Sequence, residues 1–225
     1  MKLSIIMPVY NEEATIAEIL ERVAAAPTGG LDKEIVLVND CSRDGTAKIL
    51  DSIKHIPNLR VINHTVNGGK GAAIATAMKN VAGDIVIIQD ADLEYDPNDY
   101  PKLVAPIVSG AVKVVYGARN LGSQKWYMAA GNKLLTLITN VLYGLRISDM
   151  ETCYKTMARE VFAGMELECK RFDVEAELTA KIARRGYKIL ELPITYVARY
   201  EDKKLSPMDG WPAVRALIKY RFAKL

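Results

Sequence analysis

The sequence predicts an α/β protein built on a mostly parallel open sheet with helices on both faces. Three observations carry this. Short apolar runs alternate with polar turns and helix-length segments through the first half of the chain. The runs are continuous rather than alternating, as expected of parallel strands covered on both sides. Each run also ends in polar or acidic residues, at the edge where open α/β sheets bind ligands.

The elements follow in order. "LSIIMPVY" reads as the first strand and "NEEATIAEILERVAAA" as its helix, stopped by Pro27-Thr28-Gly29-Gly30. "EIVLVND" is the second strand, after which Asp44-Gly45-Thr46 turns and caps the helix "TAKILDSIKH". "LRVINH" is the third strand, with "GGKGAAIATAMKNV" as its helix. "DIVIIQDAD" is the fourth, and "DPNDYPKLVAPI" begins another helix. "KVVYGARN" is a further strand. "KWYMAAGNKLLTLITNVLYGLRI" has helical spacing, "DVEAELTAKIARRG" is a helix, and "YKILELPITYVARY" is extended with a break at Pro193. "GWPAVRALIKYRFAKL" is a terminal helix. The first half is thus a Rossmann-like sheet, and the second half completes it, since no linker intervenes.

Composition narrows the chemistry. The 225 residues, half of them hydrophobic and a quarter charged, are enough for a substantial core. Cys41, Cys153 and Cys169 are odd in number and widely spaced, which argues against a disulfide framework or a cysteine-rich metal site. His55 and His64 are the only histidines, which disfavours a histidine zinc site or a histidine-dependent triad. No apolar run reaches the length of a membrane span, and Pro8 cuts short the apolar start before it resembles a leader. The expected location is cytoplasmic. No dense basic patch points to nucleic acid.

The acidic residues are the sharpest signal. In "DIVIIQDADLEYDP" a buried-type strand delivers Asp90, Asp92 and Glu94 within five residues, then Asp96 and Asp99. Residues i and i+2 of an extended segment face one side, so Asp90 and Asp92 converge. Their repulsion is offset by a hard divalent cation, Mg²⁺ or Mn²⁺, held by one or two carboxylates and by oxygens of a phosphate-bearing ligand. Asp96 and Asp99 read as helix-start residues. Pro8, Asn11, Glu12, Asn39 and Asp40 lie at the same edge, with Asp40 a candidate for a base or ribose. "NGGKGAA" lacks both the P-loop ending and the GxGxxG spacing, so it reads as a tight turn into a helix, from which Lys70 can meet an anion.

Taken together, "SIIMPVYNEE", "EIVLVNDCSRDGT", "NGGKGAA" and "DADLE" resemble the family 2 glycosyltransferases of GT-A fold. "GARN", "GNKLLTLITNVLYGLRISDMETCYK", "RFDVEAELTAKIARRGYKILELPITYVAR" and "DGWPAVRALIKY" extend the resemblance toward the dolichol- or polyprenol-phosphate mannosyltransferase-like branch. The resemblance implies one domain over 1–225, with 1–119 as the nucleotide-sugar half and 120–225 as the acceptor half. It places Pro8, Tyr10, Glu12 and Asp40 at the nucleotide. It assigns Asp90 and Asp92 to a DxD metal motif, with Glu94 where a metal-linked Gln is common. Arg119 and Lys133 match positions that approach the acceptor phosphate. Arg199, Lys204 and Ser206 fall in a C-terminal nucleotide-sugar loop, although the usual glycine after the Arg is missing. Asp149 falls where a sugar hydroxyl or acceptor is positioned, and Cys153 replaces a small Gly and reads as a buried thiol.

The implied reaction is displacement at the anomeric carbon of a nucleoside-diphosphate sugar, with inversion. GDP-mannose is favoured and UDP-glucose is the second donor. A lipid phosphate is already anionic and needs no general base. A hydroxyl acceptor on a polysaccharide would need one, and Asp149 is the candidate. A non-catalytic nucleotide-sugar-binding protein is the third reading. Between Gly110 and Ser148 there is no acidic residue, while Lys125, Lys133 and Arg146 stand beside Trp126 and long aliphatics. That stretch fits peripheral contact with an anionic membrane face, or a membrane partner subunit.

Overall fold

The computed structural model describes residues 1–53, 55–199 and 210–223. Strands β1 (Lys2–Val9), β2 (Asp32–Asn39), β3 (Leu59–Asn63), β4 (Ile85–Ile88), β5 (Val114–Ala118), β6 (Lys155–Ala158) and β7 (Ile189–Pro193) share one sheet in the order β3-β2-β1-β4-β6-β5-β7. All neighbouring pairs are parallel except those made by β6, which runs antiparallel between β4 and β5. The expected α/β class and the mostly parallel open sheet are what the chain forms.

The continuous apolar runs are buried as their pattern requires. All four residues of β4 are fully buried, as are Ile5, Ile6 and Met7 of β1. Helix α1 (Ile16–Ala25) buries Ile16, Ile19, Leu20 and Val23, the i, i+3, i+4, i+7 stripe of an amphipathic helix. It starts later than the sequence suggested. Residues 11–15 form a turn in which Asn11 takes φ of 51°, and Thr15 is the first half-helical residue. Helices α2 (Thr46–Ser52), α3 (Lys70–Met78) and α4 (Tyr100–Val108) follow the predicted order. A second apolar cluster joins α5 (Trp126–Tyr143), α7 (Val174–Arg184) and α8 (Gly210–Phe222) around Met150, Ala180, Leu217 and Tyr220.

Strand β6 and the short α6 (Arg159–Phe162) were not anticipated. The four residues of β6 include a fully buried Lys155 and Thr156, so no apolar run marks them. The Lys155 ammonium is satisfied by Met150 O at 2.8 Å, Thr152 O at 2.5 Å and Glu175 Oε2 at 2.6 Å, and it lies 4.9 Å from the Tyr116 ring centre. A buried ammonium is tolerated only with such a full set of acceptors.

This inserted strand positions the site. Because β6 runs backwards, the residues that lead into it, 148–154, lie beside the carboxyl ends of β4 and β5. Register brings the ends of β1 and β2 to the same edge, with Val9 opposite Asn39. The Tyr100 and Tyr154 hydroxyls both donate to Gln89 Oε1, at 2.6 and 2.7 Å, and so pin the residue just before Asp90.

Candidate active site

One cavity of about 350 Å³ opens at this edge, within the size range of ligand sites. It is lined by Pro8, Tyr10, Glu12, Asp40, Lys70, Asp90, Asp92, Glu94, Arg119 and Arg199 of the expected set. Lys204 and Ser206 lie outside the described residues. Two expected residues are placed elsewhere. Lys133 is exposed on the outward face of α5, seven residues from Trp126 on the same stripe, and is not part of the lining. Asp149 is 2% exposed behind the wall.

Asp149 is also fully engaged. Its Oδ2 accepts from Arg119 Nε at 2.7 Å and from the Arg119 backbone at 3.1 Å, while Oδ1 accepts from Nη2 at 2.8 Å. Both oxygens of this buried carboxylate are thus taken up by Arg119. It holds the guanidinium 5.2 Å from the Tyr196 ring centre.

The strand-end carboxylates divide their tasks. Lys70 Nζ lies 2.8 Å from Asp90 Oδ1 and 3.1 Å from Glu175 Oε1. Burial pulls the Lys70 ammonium toward neutrality, but Asp90 and Glu175 outweigh it and hold its pKa well above the ordinary value. Asp92 receives the Glu94 backbone N–H at 3.1 Å. Its carboxyl is pushed up to about 7, first by burial and then by the charges of Asp90 and Glu94. Glu94 is also bonded by Tyr196 and Arg199. Its Oε2 accepts from the Tyr196 hydroxyl at 2.8 Å and its Oε1 from the Arg199 backbone at 2.7 Å. Those donors offset part of the repulsion of three adjacent carboxylates. Among the described residues no three His, Cys, Asp or Glu side chains form a ready metal cage. A two-carboxylate set completed by phosphate oxygens is the form that suits Mg²⁺ or Mn²⁺, and the charge crowding at Asp92 is what such a cation offsets. Asp90 and Asp92 fit that group, and Glu94 lines the same cavity while accepting from Tyr196 and Arg199.

Asp40 lines the cavity and also has structural partners. Its carboxylate accepts from His64 Nδ1 at 2.7 Å, Gly68 N at 2.8 Å and Gly69 N at 2.6 Å. Those bonds shape the 67–69 loop, and His64, itself tied to Thr76 at 2.9 Å, had no assigned role in the sequence. The glycines are required there. A Cβ at Gly71 would come 2.0 Å from Cys169 O, and one at Gly69, where φ is 87°, would come 2.2 Å from Lys170 O. This approach brings Arg171 and Phe172 into the wall. Asp96 caps the 3₁₀ turn Pro97–Asp99 by accepting from Asn98 N at 2.9 Å, as expected. Cys153 is buried and its thiol is pushed far up by burial, which leaves it inert.

Glu151 and Glu175, on the turn before β6 and at the start of α7, also line the cavity. No motif singled them out. The only sequence signal was their presence in "DMETCYK" and "RFDVEAELTAK", which nothing local connects.

An open sheet with a charged cavity at the carboxyl edge of its strands is the plan of nucleotide-binding enzymes. Within that class the chain belongs to glycosyl transferase family 2, whose profile matches residues 4–164. It is 30% identical to the low-salt glycan biosynthesis hexosyltransferase of Haloferax volcanii, over 96% of this chain and 53% of that protein. It is 34% identical to the undecaprenyl-phosphate 4-deoxy-4-formamido-L-arabinose transferase of Pseudomonas fluorescens, over 91% of this chain and 60% of that one. The chain therefore spans little more than half the length of these curated relatives. The crystal structure of glucosyl-3-phosphoglycerate synthase from Mycobacterium tuberculosis, in complex with Mn²⁺, UDP and phosphoglyceric acid, superposes with a TM-score of 0.77. The match covers 99% of this chain and 79% of that one, at 20% identity. At that identity the likeness is one of fold.

Proposed function

We propose that this chain transfers a sugar from a nucleoside-diphosphate sugar to a polyprenyl or dolichyl phosphate, with inversion. The observation that carries the reading is the split of charge in one cavity: Asp90 and Asp92 at the end of β4, against Lys70, Arg119, Arg171 and Arg199. Acidic residues suit a metal-bound diphosphate, and the cations suit the phosphates of donor and acceptor. The Pseudomonas relative, named for undecaprenyl phosphate, supports a lipid phosphate acceptor.

Asp90 and Asp92 would hold Mg²⁺ or Mn²⁺, which neutralises charge on the leaving diphosphate when bound. Lys70, anchored by Asp90 and Glu175, stands ready beside the same oxygens. Glu12 lies 3.4 Å from Arg199 and, with Pro8 and Tyr10, borders the nucleotide end. Arg119, fixed by Asp149, faces the acceptor. An anionic phosphate attacks without a base, which agrees with the engagement of Asp149 by Arg119.

The resemblance of sequence favours GDP-mannose as donor; UDP-glucose, which a solved synthase of the same fold is described with, is the second candidate. Among the described residues no helix is long and apolar enough to cross a membrane. Membrane contact is assigned to the outward stripe of α5, where Trp126, Leu134, Leu137 and Val141 are exposed next to Lys133.

The test presents labelled GDP-mannose and UDP-glucose with polyprenyl phosphate, with and without Mn²⁺. Label in lipid phosphate only with metal is the expected result. Turnover onto a sugar hydroxyl with no lipid product from either donor would overturn the reading.

A further inference from the structure

The turn from Ser148 to Cys153 is braced at nearly every residue. Glu191 accepts from the Ser148 and Asp149 backbones at 2.6 and 3.0 Å. Thr136 Oγ1 accepts from Met150 N at 3.1 Å, and the Tyr95 hydroxyl from Cys153 N at 2.9 Å. The buried Lys155 ammonium grips the carbonyls of Met150 and Thr152, the two neighbours of Glu151. Glu151 itself is treated differently. It lines the cavity, its Oε1 is buried, and that oxygen has no hydrogen-bond partner among the described residues. Thr152 Oγ1 on the same turn also lacks a partner among the described residues, but it does not line the cavity. A buried carboxyl oxygen left unpaired costs free energy that an arriving donor would recover. Such an arrangement is pre-organised for a donor that arrives with a ligand.

The surroundings say which donor. Glu151 feels the negative charges of Glu175 and Asp149 as well as the positive charges of Lys155 and Arg119. A phosphate would be repelled there and is already served by Lys70, Arg171 and Arg199. A neutral hydrogen-bond donor suits the position, and in a glycosyl-transfer cavity that donor is a sugar hydroxyl. Glu151 lines the same cavity as Asp90, Lys70 and Arg119, so a sugar carried there between its diphosphate and the acceptor comes within its reach.

Resting on the function proposed above, we infer that Glu151 binds a hydroxyl of the transferred sugar and sets which sugar the enzyme accepts. Burial of Oε1 and the braced turn make it a fixed acceptor, so a donor with that hydroxyl absent or inverted leaves it unpaired. A site built to bond a hydroxyl rejects the analogue lacking it far more strongly than an apolar pocket rejects a size change.

The test is calorimetric binding, in Mn²⁺, of UDP-glucose, GDP-mannose, UDP and GDP to the wild type, Glu151→Gln and Glu151→Ala. Circular dichroism melting of each variant establishes that it is folded. For the nucleotide sugar the wild type prefers, Glu151→Ala should lose about tenfold or more in affinity and Glu151→Gln less, since the amide oxygen still accepts. Affinity for the matching nucleoside diphosphate should not move. Monodeoxy versions of that sugar nucleotide add a second readout. One of them should bind the wild type more weakly, yet bind Glu151→Ala as well as the parent donor does. Equal affinity of wild type and Glu151→Ala for the sugar nucleotide overturns the inference and leaves the proposed function standing. Equal loss for sugar nucleotide and nucleoside diphosphate also overturns it, because the residue would then serve the fold. Failure of the folded wild type to bind any nucleotide sugar removes the proposed function, and this inference with it.

Discussion

Individual side chains in the cavity have uses that their positions in the sequence do not disclose. Glu151 is pushed up to about 7, first by burial and then by Glu175, so its charged form is disfavoured in the fold. The folded state therefore binds more protons than the unfolded chain between the ordinary glutamate value and about 7, and stability falls as pH rises through that window. Glu151→Gln does not titrate. In metal-free protein its stability relative to wild type should climb by about 2–3 kcal/mol between pH 5 and pH 8, as read from urea unfolding at each pH. A constant difference across that range would mean that the carboxyl is solvated. Asp149→Asn removes the charge that fixes Arg119. Transfer should drop by about tenfold to hundredfold while donor affinity holds, and a matching loss of donor affinity would place Arg119 at the donor instead. Asp90 and Asp92 were legible because both sit two residues apart on one strand end. Asp40 was legible as a strand-end residue but its bonds to the loop were not, since Gly68 and Gly69 come 28 and 29 residues later.

At the level of elements, β1, β2, β4 and β5 could be read from their buried apolar runs, and the edge strand β3, none of whose residues is buried, from its short apolar stretch between polar turns. Strand β6 could not. A single buried ammonium and a threonine break its pattern, and Glu175 on α7 with the carbonyls of the preceding turn makes the ammonium tolerable. The same strand carries Glu151 to the site, so missing β6 meant missing Glu151. The contact between the 67–71 loop and residues 169–170 is equally non-local. Gly71→Ala should lower stability by about 2–4 kcal/mol, since its Cβ would collide with backbone rather than with a flexible side chain. Thermal melting reads this, and an unchanged midpoint would show that the two loops separate freely. Helix α5 presents Trp126, 81% exposed, with Leu137 and Val141 on one stripe. Substituting Trp126→Ser with Leu137→Ser should remove most co-sedimentation with anionic liposomes while leaving the fold intact. Undiminished binding would move the membrane contact to another face.

For the whole molecule, the mixed sheet gathers loops from both halves of the chain at one edge. The segments after β1, β2 and β4 supply Glu12, Asp40, Asp90, Asp92 and Glu94. The turn into β6, the loop before α7 and the segment after β7 supply the opposite wall. The central claim is that this cavity holds a nucleotide sugar through a divalent cation bound by Asp90 and Asp92. Calorimetry of GDP-mannose and UDP-glucose binding, with and without Mn²⁺, to wild type and Asp92→Ala tests it most directly. The account predicts Mn²⁺-dependent binding of at least one donor to the wild type and none to Asp92→Ala. Donor affinity that is the same in both proteins, with or without the metal, would contradict it.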